Sequence, residues 1–113
     1  MVKRFGDVPW YSEVISDKDW DKLQAPRTPR TVVLDSVMAD INYAIDHLPE
    51  VKTVNEISRW TALALKSRIC LFEGTFRKYH TEFKLPEYEA FLDNAIAASK
   101  ELIERSGYKL YNT

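Results

Sequence analysis

Arg59-Trp60-Thr61-Ala62-Leu63-Ala64-Leu65-Lys66-Ser67-Arg68-Ile69-Cys70-Leu71-Phe72-Glu73-Gly74 is the stretch on which the reading of the whole chain turns. At about 100° per residue its apolar side chains do not form one stripe. Trp60, Ala64 and Leu71 lie on one side of the wheel, Leu65, Ile69 and Phe72 on a second, Leu63 and Cys70 on a third. Charge is confined to Arg59, Lys66 and Glu73, with Arg68 standing alone. A helix apolar over most of its circumference is covered on several sides. This one is therefore expected to sit centrally, with Leu63, Leu65, Ile69 and Phe72 all buried. Ala62, Ala64 and Ser67 leave room for neighbouring backbones.

Outward from that helix, the pattern predicts two more. Leu34, Val37, Met38, Ile41, Ala44, Ile45 and Leu48 recur at three- and four-residue steps, with Thr28 as the expected N-cap and Pro29 at the first helical position. Pro49 ends this helix, residues 50–57 form a polar connection, and Ser58 is placed to cap the next. Gly74 either stops the central helix or bends it; composition does not decide, since a helical glycine costs only ~1 kcal/mol. A third helix is expected from about Pro86 to Arg105, its apolar positions including Tyr88, Phe91, Leu92, Ala95, Ile96, Leu102 and Ile103. Gly107 suits a left-handed C-terminal cap, and the alternating tail Tyr108-Lys109-Leu110-Tyr111 could fold back by a hydrophobic contact onto the last turn. Residues 1–27 read as irregular, punctuated by Gly6, Pro9, Pro26 and the polar Ser16-Asp17-Lys18-Asp19 cluster. The fold class is all-α: three main helices behind an irregular N-terminal segment, with no strict sequence repeat.

Composition narrows the partners. The chain has 113 residues, 16 basic against 17 acidic, and a net charge of −1, which gives no drive toward nucleic acid or an anionic membrane. Its single cysteine, Cys70, lies on the apolar helix and reads as a buried, inert thiol. No run approaches the ~18 apolar residues of a membrane-spanning helix. The N-terminus shows neither a secretory signal nor a cysteine for lipid attachment.

Reactive constellations are absent from the sequence. There is no phosphate loop, nucleophile elbow or zinc-spaced cluster. His47 belongs to a helix's last turn, and Arg77-Lys78-Tyr79-His80 reads as a solvated helix end rather than a phosphate site. Asp35 and Asp40 point differently, and Glu87, Glu89 and Glu101 are expected on an exposed face. No pair of carboxylates flanks one bond as glycosidase chemistry requires. The chain is expected to be no enzyme, with no catalytic residue, metal or cofactor. The one group with ligand chemistry is aromatic: Trp10, Tyr11 and Trp20, near Asp17, Lys18, Asp19 and Asp21, could stack on the C–H face of a sugar while polar neighbours bond its hydroxyls.

Arg59 to Gly74, with its Ala-Leu-Ala-Leu-Lys-x-Arg run ending in Gly, resembles the signature helix of the SusD/RagB family, the outer-membrane nutrient-binding lipoproteins of Bacteroidetes glycan-utilisation systems. Val2-Lys3-Arg4-Phe5-Gly6-Asp7-Val8-Pro9 is similar to the family's Arg-aromatic-Gly-Asp-Val-Pro segment. Pro26-Arg27-Thr28-Pro29-Arg30 and the helix ending Asp46-His47-Leu48-Pro49 resemble its linking region. The resemblance implies a tetratricopeptide-like helical array and a surface-exposed lipoprotein parent. It also implies a TonB-dependent SusC-like transporter and oligosaccharide as partners, with import rather than bond cleavage as the outcome. Family members are several times longer, so residues 1–113 are expected to be a single partial domain, an internal helical scaffold fragment. Such a fragment is expected to leave apolar faces without partners, and so to bind a hydrophobic dye, self-associate or melt with poor cooperativity. The alternative is a helical-repeat protein-protein interaction module without glycan binding.

Overall fold

The computed structural model describes residues 1–111 and is all-α. Two single-turn helices, α1 (Val2–Phe5) and α2 (Trp20–Leu23), interrupt the segment expected to be irregular. Three long helices follow: α3 (Arg30–His47), α4 (Arg59–Tyr79) and α5 (Tyr88–Arg105). A 3-10 turn at Thr81–Phe83 lies between the last two. The chain divides into two compact units, Met1–Ala39 and Asp40–Thr113, with α3 passing from one into the other.

The first unit is built around the start of α3. The helix begins at Arg30, with the Pro29 carbonyl accepting from Val33, one residue later than the sequence suggests. Thr28 does not cap it. Its backbone N–H donates to the Val8 carbonyl at 3.0 Å, forming an isolated antiparallel bridge. The cap comes instead from Asp7, whose Oδ1 accepts from the Arg30 N–H at 2.8 Å across 23 residues. Gly6 makes this possible, since its φ of 67° lies in the left-handed region that side chains avoid. Arg30, itself buried, returns a hydrogen bond from Nη1 to the Val2 carbonyl. Val8, Val33 and Leu34 form the apolar centre of this unit.

In the second unit α4 and α5 pack antiparallel. Arg59 at the start of α4 bonds Glu101 near the end of α5, and Gly74 farther along α4 lies against Leu92 near the start of α5. Gly74 neither stops nor breaks α4. A Cβ there would come within 2.7 Å of Leu92 Cδ2, 2.8 Å of its Cγ and 3.1 Å of its backbone nitrogen. The glycine is therefore a point of close helix approach. Trp60, Ala62, Leu63 and Cys70 from α4 and Phe91, Ala95 and Ala98 from α5 are buried, as are Ile41 and Ile45 at the end of α3. Ser58 occupies the N-cap position of α4 without a capping bond from its side chain.

The expectation that Leu63, Leu65, Ile69 and Phe72 are all buried fails most clearly at Leu65. Leu63 is buried and Ile69 and Phe72 are half-buried, but Leu65 and Leu71 are exposed. Two residues assigned to solvent take their place inside. Glu73 is only 1% exposed, and its Oε1 accepts from Arg77 Nε at 2.8 Å. Arg77 Nη1 donates to the Pro86 carbonyl at 2.7 Å, and the guanidinium lies over the Phe91 ring at 4.4 Å. This fastens the 80–87 connection, in which Lys84 and Glu87 both adopt left-handed backbone angles (φ 51° and 62°). Such angles cost a non-glycine residue roughly 1–2 kcal/mol each. At the far end Gly107, with φ 69°, follows α5 as expected. The tail does not fold back: Leu110 and Tyr111 are exposed, and Tyr108 lies under the Lys52 ammonium.

Two stability outcomes follow from these contacts. Gly74→Ala gains ~1 kcal/mol of helix propensity but overpacks the crossing by ~1–3 kcal/mol, so a net loss of about 1 kcal/mol is expected in denaturant unfolding. A more stable variant would mean that α5 does not approach so closely. Arg77→Met removes the buried counter-charge of Glu73 and is expected to cost about 3–5 kcal/mol, whereas Glu73→Leu combined with Arg77→Met should recover much of that loss. Additive losses in that double-mutant cycle would contradict a coupled buried pair.

Candidate functional site

The aromatic group singled out in the sequence belongs to the first unit, and the local chain explains how it is held. Ser16-Asp17-Lys18-Asp19 folds into a turn: the Asp19 N–H donates to the Ser16 carbonyl at 3.1 Å, and Asp19 Oδ2 accepts from the Ser16 N–H at 3.1 Å. The Lys18 N–H bonds Ser16 Oγ, completing a side-chain-to-backbone knot of the kind that Ser and Asp favour. This turn feeds directly into α2, which opens with Trp20. Tyr11 reaches α2 from the other side, its hydroxyl donating to the Lys22 carbonyl at 2.7 Å. Lys22 Nζ in turn pairs with Glu13 at 2.6 Å.

The three rings therefore have different standing. Tyr11 is half-buried and its hydroxyl is committed to backbone, so it anchors α2 against the 10–13 segment. Trp10 is half-buried. Trp20 is 67% exposed, with the charged Asp17, Lys18 and Asp21 close in sequence. An open indole with hydrogen-bonding groups nearby has the chemistry to stack on a sugar face or another flat apolar surface. Among the described residues, the short fold around it is held by the hydrogen bonds of the Ser16–Asp19 turn and the exposed Lys22–Glu13 pair.

Groups read as surface chemistry turn out to hold the second unit together. Arg77, placed by sequence in a solvated basic run, is the buried partner of Glu73. Its Nη2 is buried without a hydrogen-bond acceptor among the described residues. Glu101, expected on an exposed face, is half-buried and accepts from Arg59 at 2.6 Å and Arg105 at 3.3 Å. Arg59 also bonds Glu50 at 2.9 Å, and Trp60 Nε1 donates to the Glu50 carbonyl at 2.9 Å. The signature-like start of α4 thereby ties the connection after α3 to the end of α5.

The histidines have local partners. His47 Nδ1 lies 2.8 Å from the Tyr43 carbonyl oxygen, its ring stacked on Tyr43. His80 lies 2.8 Å from Glu82, which holds that carboxyl below its usual range, and stacks on Phe76. Burial pushes the Cys70 thiol up, with Lys66 partly opposing it. Among the described residues no three His, Cys, Asp or Glu side chains gather as a metal site, and no helix is long and apolar enough to cross a membrane.

One concavity escaped the sequence reading. An open groove of about 670 Å³ runs along the outer face of the α4–α5 pair, walled by Leu71 on one helix and Ile96 and Ile103 on the other. The helical wheel gave no signal for it, because Trp60 shares Leu71's side and is buried.

No family model matches the chain, and no solved structure matches it. Over 80 residues it is 31% identical to SusD-like protein P2 of Formosa agariphila (strain DSM 15362 / KCTC 12365 / LMG 23005 / KMM 3901 / M-2Alg 35-1). That match covers 69% of this chain, which spans 15% of the length of the relative.

Proposed function

We propose that this chain is a segment of the helical scaffold of a SusD-type nutrient-binding protein. In this reading residues 1–113 are one partial domain of an outer-membrane lipoprotein. The parent captures glycans or related nutrients at the cell surface and hands them to a TonB-dependent transporter of the SusC type. Its work is binding and delivery, without bond cleavage.

The observation that carries the reading is a coincidence between sequence likeness and structural role. The chain is 31% identical to a SusD-like protein over 80 residues. The residues that prompt the resemblance do architectural work: Gly6 and Asp7 cap α3, Arg59 joins the 50–57 connection to α5, and Gly74 admits Leu92. Residues that build a fold identify the fold, while ligand groups are added on its surface. Trp20, with Trp10 and Tyr11 in the same unit, is the candidate for such an addition. The groove between α4 and α5 favours a second reading, a helical interaction module whose partner is another protein.

Retention on the immobilised chain separates the two. Detergent-solubilised outer membranes of the producing bacterium are expected to yield a TonB-dependent transporter, identified by mass spectrometry. Retention of soluble proteins alone would favour the interaction module. Calorimetry of the isolated chain against an oligosaccharide panel is expected to show no saturable heat, because one exposed indole on a shallow unit offers little area. Saturable binding lost in Trp20→Ala would overturn the purely scaffolding role and place a glycan site in the first unit.

A further inference from the structure

We propose that residues 80–87 form a strap closed under strain, with Arg77 as its catch, and that this strap opens as a unit of its own while α4 and α5 stay paired. The proposal stands apart from the SusD-type reading. Among the described residues, Lys84 (φ 51°, ψ 37°) and Glu87 (φ 62°, ψ 35°) alone combine a side chain with left-handed backbone. Neither is the Gly, Asn or Asp that visits this region readily. Such conformations persist only where the surroundings impose them.

Little burial opposes release. No side chain from His80 to Glu87 is buried, and only Leu85 is half-buried. Arg77 and Phe91, on either side of the strap, are both buried. The Phe83 N–H donates to the His80 carbonyl at 3.2 Å and the Lys84 N–H to the Thr81 carbonyl at 3.0 Å. His80 and Phe83 lay their rings against Phe76 at 4.4 and 5.7 Å. Beyond Lys84 the strap is fastened by Arg77 Nη1, which donates to the Pro86 carbonyl at 2.7 Å. α5 then begins without a side-chain cap. Segments that place few apolar groups inside are those that open at low free energy.

The catch carries its own counterweight. Arg77 is committed to Glu73 through Nε at 2.8 Å and to the Phe91 ring at 4.4 Å, and neither contact involves the strap. Opening therefore takes one bond from it, the one between Nη1 and Pro86. Nη2 is buried without an acceptor among the described residues. A buried donor left unmade is penalised until water reaches it. Release admits water to both nitrogens, so the gain at Nη2 offsets the loss at Nη1. Relief of the backbone at positions 84 and 87 acts in the same direction. Lys84 also donates the bond that closes the 3-10 turn, so relaxing its backbone undoes that turn as well. The Glu73–Arg77 pair survives the opening.

Amide hydrogen exchange of the full chain, followed by NMR, tests this. Corrected for intrinsic rates, the Phe83 and Lys84 amides should exchange at least about tenfold faster than that of Cys70. Low denaturant should quicken exchange at Cys70 and leave the strap's rate unchanged, since local opening exposes little surface. Lys84→Gly and Glu87→Gly remove the strain, and each should slow exchange across the strap about threefold to fivefold. Arg77→Lys keeps a cation beside Glu73 but loses the fork, and should speed the strap's exchange about tenfold. The two glycine variants carry the test if that protein does not fold. Strap amides that share the rate and denaturant dependence of Cys70 would overturn the proposal. So would glycine variants that leave exchange unchanged or faster, or a folded Arg77→Lys protein whose strap exchanges as before.

Discussion

Two opposite charges shut inside one helix pair set the terms for the second unit. Taking an ion out of water costs several kcal/mol even after relaxation, so Glu73 and Arg77 are tolerable only as partners. Their spacing of four residues on α4 puts them on one face. Gly74, beside Glu73, lets α5 come close enough that Phe91 covers the guanidinium. The remaining reach of Arg77 extends to the Pro86 carbonyl, which fixes where the connection ends and α5 begins. Two residues with left-handed backbone sit in that connection, so its shape is imposed by the ends rather than chosen by its own sequence.

The first unit follows another logic, in which a short N-terminal motif serves a helix that begins much later in the chain. Asp7 supplies the acceptor that the start of α3 lacks, and Val8 adds both a bridge and a buried side chain. A segment made almost wholly of turns thereby acquires a fixed geometry without a large apolar centre. The exposed Trp20 is presented from this lightly built support. The helix pair, by contrast, is closely packed where charges and glycine meet and open along its outer groove.

The three long helices were legible from apolar periodicity and from Pro49 and Gly107; the structure places α3 and α5 within a residue or two of the expected bounds, whereas the end of α4, undecided at Gly74, lies at Tyr79. The cap of α3 was not, because local rules search the adjacent residues and Asp7 stands 23 positions away. Nor was the interior of α4. Periodicity counts a charge as outward, whereas Glu73 and Arg77 neutralise one another and go in, while Leu65 and Leu71 stay out. Of the aromatic trio, sequence identified the segment but could not distinguish the ring that anchors from the ring that is open. That difference rests on the single bond from the Tyr11 hydroxyl to Lys22.

Cys70 gives the helix pair a built-in clock. The thiol has no exposed surface, and burial raises its pKa, so a thiol reagent in solution meets neither an accessible nor an ionised sulfur. Its modification must wait for a fluctuation that parts α4 from its neighbours. When closing outpaces labelling, the observed rate is the intrinsic thiol rate multiplied by the fraction of time the core is open. A single natural atom near the middle of the longest helix thus reports how often the interior breathes, without any added probe.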